Sequence, residues 1–282
     1  MATVYFFNGT QSGTADGSYA DPYDLSSLAT QESASSSGDI FIFKDGTYSL
    51  SADQTFSGGA GISYQAESDR GVIFDANSNH FVFGVSDGTG ATVDFSLSGF
   101  DFIDFINGSS HAFFIQMDLT NTVTFNRCRI ENQTGTNSTG LIGKDASAEH
   151  MNVVFNETVF IIKLTGTTTK IFRDRNGGST ANASVSLINS TVYFEGGTNG
   201  IIAERTGTTV IKNTILYDGG SGSTTLGSPP SLTESHNCYF NIGESADSAN
   251  NIIVDDPQFV DSANGDLRLR PTSPCIGAGT AS

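Results

Sequence analysis

Apolar and polar residues alternate with a period of two in five similar segments in the middle of the chain. The segments are VDFSLSGF (93–100), VTFNRCRI (123–130), VVFNETVF (153–160), VSLINSTV (185–192) and TTVIKNTI (208–215). This alternation is typical of strands that bury one face. In each segment the phase shifts at a small residue and then resumes, which predicts a bend between two short strands.

Aligning the segments places residues of similar size in three columns. The first column is Phe95, Phe125, Phe155, Leu187 and Val210. The second is Ser98, Cys128, Thr158, Ser190 and Asn213. The third is Phe100, Ile130, Phe160, Val192 and Ile215. A repeat of roughly 30 residues falls in the range of solenoid proteins.

A second apolar patch lies between successive segments, at Phe113–Ile115, Leu141–Ile142, Ile171–Phe172 and Ile201–Ile202. Each unit therefore supplies three short strands and three bends, which make one coil of a solenoid. Equivalent strands of successive coils pair in parallel about 4.8 Å apart, and the columns stack in the interior. The pattern predicts an all-β, single-stranded parallel β-helix.

Both ends of such a solenoid need a cap, because an open coil exposes unpaired backbone groups. In DLSSLATQESA (24–34), Asp24 is a predicted N-cap, and Leu25, Leu28 and Ala29 share one face of a short helix that covers the first coil. At the other end, the turn Asn264-Gly265-Asp266 predicts a hairpin over the last coil, with Leu267 and Leu269 inward and Arg268 and Arg270 outward.

The chain is expected to form one β-helix domain over 1–282. Residues 1–50 form the N-terminal cap and first coil, residues 51–250 the coils, and residues 251–282 the C-terminal cap.

Four stretches resemble right-handed parallel β-helix proteins of the pectate-lyase-like superfamily. GDIFIFKDGTYSL (38–50) looks like their entry motif, and DDPQFVDSANGDLRLRPTSPCIGAG (255–279) is similar to their closing motif. NTILYDGG (213–220) and HNCYF (236–240) fit the late coils of such proteins. The superfamily includes polysaccharide lyases, glycoside hydrolases, phage tailspikes and adhesins, so the resemblance implies the fold and leaves the activity open.

The composition agrees with an all-β fold and restricts the partners. The chain has 282 residues, 32 of them glycine, and a net charge of −17. Such a field repels phosphate backbones and argues against nucleic-acid binding. Residues 127–212 hold nine basic and seven acidic residues, a net charge of +2, which leaves −19 for the rest. The basic residues are therefore concentrated in the middle coils.

Targeting signals and cysteines add little to the prediction of function. No apolar run is long enough to span a membrane, so membrane insertion is not expected. No secretory leader is visible at the start of the sequence, so we expect either a trimmed leader or export by another route, such as release of virions by lysis. The three cysteines, Cys128, Cys238 and Cys275, allow at most one disulfide and are expected to be buried, reduced thiols.

Charged residues follow the second apolar patch of each coil. Extending the register predicts that Lys144, Asp174 and Glu204 stack on one another, with Arg175 and Arg205 in the next column. This arrangement fits a solvent-exposed ion-pair ladder. It also fits a saccharide site formed by Lys144, Arg173, Asp174, Arg175, Glu204 and Arg205, with Tyr193 and Tyr217 as an exposed stacking pair.

The resemblance to β-helix lyases implies a catalytic alternative for the same residues. A lyase needs a cation to remove the proton beside a uronate carboxylate, and the best assignment is Lys144 as base with Arg173 or Arg175 as partner. No metal site or other cofactor is predicted from the spacing of possible ligands, and Ca²⁺ is left open for the aspartate-rich stretch Asp16–Asp24.

The favoured interpretation is a non-enzymatic module of a virion surface or an adhesin. It would act as a phage spike, fibre or capsid decoration and bind a glycan or a partner protein outside the cell. Trp-dependent pectate-lyase signatures cannot occur, because the chain has no Trp. The resemblance to phage spikes implies a homotrimer. The alternatives are a polysaccharide lyase or glycoside hydrolase that acts on an acidic polysaccharide from the basic middle coils, and a purely structural protein.

Overall fold

The computed structural model describes most of the chain. The residues described are 2–9, 15–84, 93–105, 113–117, 121–132, 141–144, 150–163, 169–174, 183–195, 200–204, 207–220, 224–227, 229, 231–243, 252–253 and 256–280.

These residues form short strands and one α-helix, α1 (Leu28–Ala34). The strands are β1 (Val4–Asn8), β2 (Tyr23–Asp24), β3 (Ile40–Phe43), β4 (Gly46–Ser49), β5 (Gln54–Phe56), β6 (Ser63–Ala66), β7 (Val72–Asp75), β8 (Phe81–Gly84), β9 (Phe95–Ser98), β10 (Phe100–Ile103), β11 (Phe113–Gln116), β12 (Val123–Asn126), β13 (Arg129–Asn132), β14 (Ile142–Lys144), β15 (Met151–Asn156), β16 (Val159–Lys163), β17 (Thr169–Asp174), β18 (Ala183–Ile188), β19 (Thr191–Glu195), β20 (Gly200–Glu204), β21 (Thr208–Lys212), β22 (Ile215–Asp218), β23 (Ser231–Ser235), β24 (Cys238–Phe240), β25 (Ile252–Ile253), β26 (Phe259–Asp261) and β27 (Asp266–Leu269).

The strands pair between coils into three long parallel sheets. Sheet A has ten strands in the order β2-β1-β3-β6-β9-β12-β15-β18-β21-β23. Sheet B has nine, in the order β25-β24-β22-β19-β16-β13-β10-β7-β4, and sheet C has six, in the order β20-β17-β14-β11-β8-β5. From β3 to β20, each coil contributes one strand to each sheet in turn, which confirms the predicted parallel β-helix.

The register between coils agrees with the predicted columns in the middle of the solenoid. Phe125 pairs with Phe155, and Phe155 pairs with Leu187. In the next sheet Ile130, Phe160 and Val192 follow one another in the same way. All of these side chains are buried.

The first and last of the five segments are out of register with the prediction. Leu97, rather than Phe95, pairs with Phe125, so the first segment is shifted by two residues. Phe102, rather than Phe100, pairs with Ile130. The predicted register is wrong here because the residue in the bend is Gly99, with a φ of +81°, and not Ser98.

The last segment is shifted by one residue. Leu187 pairs with Ile211 and Val192 with Leu216, so Val210 and Ile215 are not in the interior columns. Asn213 has a φ of +52° and occupies the bend itself. The small buried position next to the bend is Thr214 rather than Asn213.

Aromatic rings fill the interior and stack along the coil axis. Phe56 and Phe83 lie 5.5 Å apart at 8°, and Phe125 and Phe155 lie 4.9 Å apart at 20°. Such pairs contribute about 0.5–1.5 kcal/mol each beyond the burial of their area. The stacking of identical residues in neighbouring coils therefore strengthens the same contacts that set the register.

A ladder of small polar side chains runs through the bend between sheets A and B. The backbone N–H of Thr158 donates to Ser190 Oγ at 3.1 Å, that of Ser190 to Thr214 Oγ1 at 3.4 Å, and that of Thr214 to Asn237 Oδ1 at 2.9 Å. All four residues are buried. The ladder satisfies N–H groups that the backbone turns away from the neighbouring coil, and an unsatisfied buried N–H is costly.

The helix at the N-terminal end packs against the first coils. Asp24, the predicted N-cap, caps the 3-10 turn (Leu25–Ser27) before α1 by accepting from the N–H of Ser26 at 2.6 Å, whereas α1 itself follows Ser27, which makes no side-chain cap hydrogen bond. Leu28 is buried in the core, whereas Ala29 is exposed, so that part of the predicted apolar face is wrong. Glu32, one turn after Leu28, takes the buried position instead, because residues four apart share a helix face.

The buried carboxylate of Glu32 is held by groups of the following coils. It accepts from Ser57 N–H at 3.1 Å, from Ser57 Oγ at 2.6 Å and from the hydroxyl of Tyr64. Burial raises the pKa of Glu32 despite these hydrogen bonds. The carboxyl group of Glu32 therefore links the cap to the solenoid by hydrogen bonds. Its burial favours the protonated form over the charged form.

The C-terminal hairpin is present, but it does not lie over the last coil. Strand β26 pairs with β27 antiparallel, and Leu267 and Leu269 face inward while Arg268 and Arg270 are exposed, as predicted. The hairpin folds back along the outer face of sheet B. The predicted position is wrong because the apolar side of the hairpin packs on Ile161, Tyr193 and Tyr217 of sheet B instead, with Phe259 over the two tyrosines.

Ser190→Ala is expected to lower the free energy of unfolding by about 1–3 kcal/mol, because the N–H of Thr158 loses its buried acceptor. The matched control is Ser186→Ala, which removes the same atom from the outer face of sheet A, and we expect a change within about 0.5 kcal/mol. Urea unfolding of both variants measures the difference, and equal losses would contradict the proposed role of the ladder.

Glu32→Gln tests the buried carboxylate. A group with a raised folded-state pKa contributes stability that is fully present below its unfolded pKa and is lost as the pH rises through its folded pKa. We therefore expect the variant to melt at a higher temperature than the wild type at pH 8 and at a similar temperature at pH 4. Melting curves across this range, with the exposed Glu67→Gln as control, check this. Parallel pH profiles for the wild type and Glu32→Gln would count against it.

Candidate functional site

The predicted basic site falls on sheet C, and the structure describes only part of it. Lys144 lies on β14, Arg173 and Asp174 on β17, and Glu204 on β20. The side chains of Lys144, Asp174 and Glu204 lie outside the described part of the structure, as do the whole residues Arg175 and Arg205. Arg173 is half-buried.

The register on sheet C places opposite charges next to each other. Lys144 pairs with Asp174, as predicted. Glu204 pairs with Arg173 and not with Asp174, so that part of the predicted column is wrong by one residue. The error arose because the prediction aligned Phe172 with Ile202, whereas its partner is Ala203. Ile202 and Ala203 are both buried, so the apolar pattern did not distinguish them. Lys144 and Arg173 therefore each have an acid as register partner, which favours an ion-pair ladder, whereas Lys170 on the same sheet pairs with Ile201.

Tyr193 and Tyr217 stack, but they are not the exposed pair that was expected. Their rings lie 5.1 Å apart at 10°, and Phe240 extends the stack beyond Tyr217 at 4.6 Å and 8°. Tyr193 is only 4 % exposed. Phe259 of the hairpin covers both tyrosines, with ring centroids 6.5 Å from Tyr193 and 5.4 Å from Tyr217.

The phenol groups are occupied within the protein as well. The hydroxyl of Tyr193 donates to Glu195 Oε2 at 2.9 Å, and burial is the main cause that raises the pKa of Tyr193. Tyr217 remains half-buried beside Asp256 and Arg270, at a cavity of about 290 Å³. The stack therefore holds the C-terminal hairpin in place rather than offering a sugar platform.

A charged cluster on the outer face of sheet B was not predicted. The guanidinium of Arg70 donates twice to Asp101, at 2.8 and 3.1 Å, and this contact raises the pKa of Arg70. Arg129 binds Glu131, and Asp101 and Arg129 are register partners. Arg70 lies in a bend and outside the repeat, so the alternation of the strands gave no signal for it.

The outer face of sheet A has a different character. We define it by the outward positions of β6 to β23, which are Ser63, Gln65, Ser96, Ser98, Thr124, Asn126, Asn152, Val154, Asn156, Ser184, Ser186, Ile188, Thr208, Val210, Lys212, Ser231, Thr233 and Ser235. All but Val154, Ile188, Val210 and Lys212 carry a hydroxyl or amide group. These side chains are half-buried or exposed.

Amide side chains form a ladder along one edge of this face. Asn156 Nδ2 donates to Asn126 Oδ1 at 3.4 Å, Asn189 Nδ2 to Asn156 Oδ1 at 3.4 Å, and Asn213 Nδ2 to Asn189 Oδ1 at 3.0 Å. The ladder orients the amides of Asn156 and Asn189, because each of them both donates and accepts within it. The outer face of sheet A therefore repeats neutral hydrogen-bonding groups at the spacing of the coils, and the ladder orders them along one edge.

The described residues offer no cluster of three or more His, Cys, Asp or Glu side chains that could hold a metal ion. In the aspartate-rich stretch considered for Ca²⁺, Asp16 accepts from the N–H of Ser18 at 2.8 Å and Asp24 from that of Ser26. These carboxylates serve as turn and cap acceptors. No helix in the described part of the chain is long and apolar enough to cross a membrane.

Comparison with known proteins supports the fold through solved structures alone. No protein-family model and no curated protein matches the chain. Among solved structures, the pectin methylesterase of Aspergillus niger is 15 % identical, with a TM-score of 0.50 over 88 % of this chain and 82 % of that chain.

Two lyases are more distant in structure. Pectate lyase Pel9A is 15 % identical, with a TM-score of 0.43 over 99 % of this chain and 92 % of that chain. The alginate lyase AlyGC, of the PL6 family, is 10 % identical, with a TM-score of 0.40 over 85 % of this chain and 39 % of that chain. The strand topology and the likeness to the pectin methylesterase show that this chain has the fold of parallel β-helix proteins, as the sequence resemblance predicted.

Proposed function

We propose that this chain is a non-catalytic β-helix module that binds a neutral glycan along the outer face of sheet A. The observation that carries the proposal is the composition of that face, which bears hydroxyl and amide groups and, among its defined positions, one ionisable side chain, Lys212. The chain as a whole has a net charge of −17, so this face carries little charge by comparison.

The chemistry of the face suits sugars. Hydroxyl and amide groups both donate and accept hydrogen bonds, as sugar hydroxyls do. Single contacts of this kind contribute little, about 0.5–1.5 kcal/mol each, because they replace hydrogen bonds to water. A polymer that follows the coils makes many such contacts at once, and the linked contacts raise the affinity without any deep pocket.

The setting that we propose is the one implied by the sequence resemblance. The module would belong to a virion surface or an adhesin outside the cell, and it would assemble as a homotrimer. The pectin methylesterase from Aspergillus niger acts on pectin by its name, and its shared fold supports a carbohydrate ligand by analogy.

The alternative is a lyase or hydrolase that acts on an acidic polysaccharide through Lys144, Arg173 and Arg175. The pairing of Lys144 with Asp174 and of Arg173 with Glu204 weighs against it, because adjacent acids repel a uronate. The net negative charge of the chain opposes the same ligand.

Thr124→Lys is expected to weaken binding of a neutral polysaccharide by at least about tenfold, because a long charged side chain interrupts the centre of the face. Affinity electrophoresis in gels that contain neutral polysaccharides such as dextran, galactan or xylan, with polygalacturonate and alginate gels beside them, measures retardation. The matched control is Thr47→Lys, which adds the same charge to an exposed outward position on sheet B.

Retardation by at least one neutral polysaccharide, lost in Thr124→Lys and kept in Thr47→Lys, is the result we expect. Equal retardation of both variants, or retardation by uronate polymers alone, would contradict the proposal. Release of unsaturated products or reducing ends from any of these polymers, with or without Ca²⁺, would replace it with the enzyme alternative if Lys144→Ala or Arg175→Ala abolished the release.

A further inference from the structure

Cys238 and Cys275 meet beneath the C-terminal segment. Cys238 lies on β24 and is 4 % exposed, whereas Cys275 lies after the hairpin and is half-buried. Both line one cavity of about 230 Å³, together with Thr214, His236 and Leu269. Both are free thiols.

The segment that carries Cys275 is fixed on both sides of the thiol. On one side, the N–H of Cys275 donates to Ser273 Oγ at 3.2 Å, and Ser273 Oγ donates to the carbonyl of Pro257 at 2.6 Å. On the other side, Asn213 Nδ2 donates to the carbonyl of Thr280 at 2.8 Å, and the N–H of Thr280 donates to Asn213 Oδ1 at 2.9 Å. The two anchors hold Cys275 against the flank of the solenoid, next to β24.

The two thiols interact and differ in reactivity. Their mutual contact raises the pKa of Cys238 and lowers the pKa of Cys275. The thiolate is the nucleophile in disulfide exchange, so the more acidic and more exposed Cys275 reacts first. The third cysteine is different, because Cys128 is 1 % exposed and burial raises its pKa to about 12.

We propose that Cys238 and Cys275 form a disulfide that locks the C-terminal segment onto the flank of sheet B. The oxidant is a small-molecule disulfide such as oxidised glutathione. The Cys275 thiolate attacks it, which forms a mixed disulfide and releases one glutathione thiolate. Cys238 then loses its proton and attacks the Cys275 sulfur, which releases the second glutathione.

The balance of this exchange is complete. The two protein thiols lose two electrons and two protons, and one glutathione disulfide is reduced to two glutathione molecules. The second step becomes easier once Cys275 is in the mixed disulfide, because the contact with the Cys275 thiol, the main cause that raises the pKa of Cys238, is then lost. The cross-link closes a loop that contains the whole hairpin, and it restricts the unfolded chain more than the folded one.

The test is to incubate the native protein with oxidised glutathione and then count the remaining thiols by alkylation in denaturant. We expect one alkylated cysteine, Cys128, and a peptide map in which the Cys238 and Cys275 peptides are joined. We also expect the melting temperature to rise by about 5–10 °C relative to the reduced protein.

Cys128→Ser is the matched control, because its site lies in the bend ladder where Thr158, Ser190 and Thr214 already carry hydroxyl groups. This variant is expected to keep the cross-link, whereas Cys275→Ser and Cys238→Ser are expected to lose it and the gain in melting temperature. Three alkylated cysteines after oxidation, a stable glutathione adduct on Cys275, or a cross-link that includes Cys128 would each overturn the proposal.

Discussion

Hydrogen bonding between equivalent strands of successive coils is the constraint on which the rest of this structure depends. Each strand can bond only to the coil before it and the coil after it, so every bend must return the chain to the same register. Between sheets A and B, a left-handed residue such as Arg127, Glu157 or Asn189 makes the bend. A small polar residue directly after it, such as Thr158 or Ser190, supplies the acceptor that the backbone lacks.

The same constraint explains which parts of the fold can be predicted from the sequence. Apolar and polar residues alternate along any strand that buries one face. Alternation therefore identifies the coils, but a shift of two residues between neighbouring coils keeps the same faces buried and is not excluded. The middle segments aligned correctly because Phe125, Phe155 and Leu187 precede similar bends. The first segment failed because Gly99 takes the left-handed position without any polar side chain to mark it, and the last failed because Asn213 was taken for the buried residue after the bend.

The candidate site was harder to predict than the fold because it depends on what covers each face. The stacking of Tyr193 on Tyr217 follows from the register, but their burial follows from the hairpin, which lies far away in sequence. The charged residues of sheet C were recognised from the sequence. Their pairing was not, because an error of one residue in the register is enough to miss the pairing of Glu204 with Arg173. The outer face of sheet A has no motif and becomes visible only as a surface.

Together these features give the three sheets different roles. Sheet B is covered along its later coils by the hairpin, which contacts Ile161, Tyr193 and Tyr217. On sheet C, Lys144 is the register partner of Asp174, and Arg173 is that of Glu204. Sheet A has the longest run of strands, and the side chains of its outer face are half-buried or exposed along that run. The face proposed for ligand binding is thus the one that neither the hairpin nor paired charges occupy.

A crystal structure of the protein tests the central claim most directly. The account predicts one buried column in which Leu97, Phe125, Phe155, Leu187 and Ile211 follow each other at about 4.8 Å, with Thr158, Ser190 and Thr214 hydrogen-bonded in sequence beside it. A structure in which these residues occupied unrelated layers or faced solvent would contradict the claim, and with it the continuous face on sheet A.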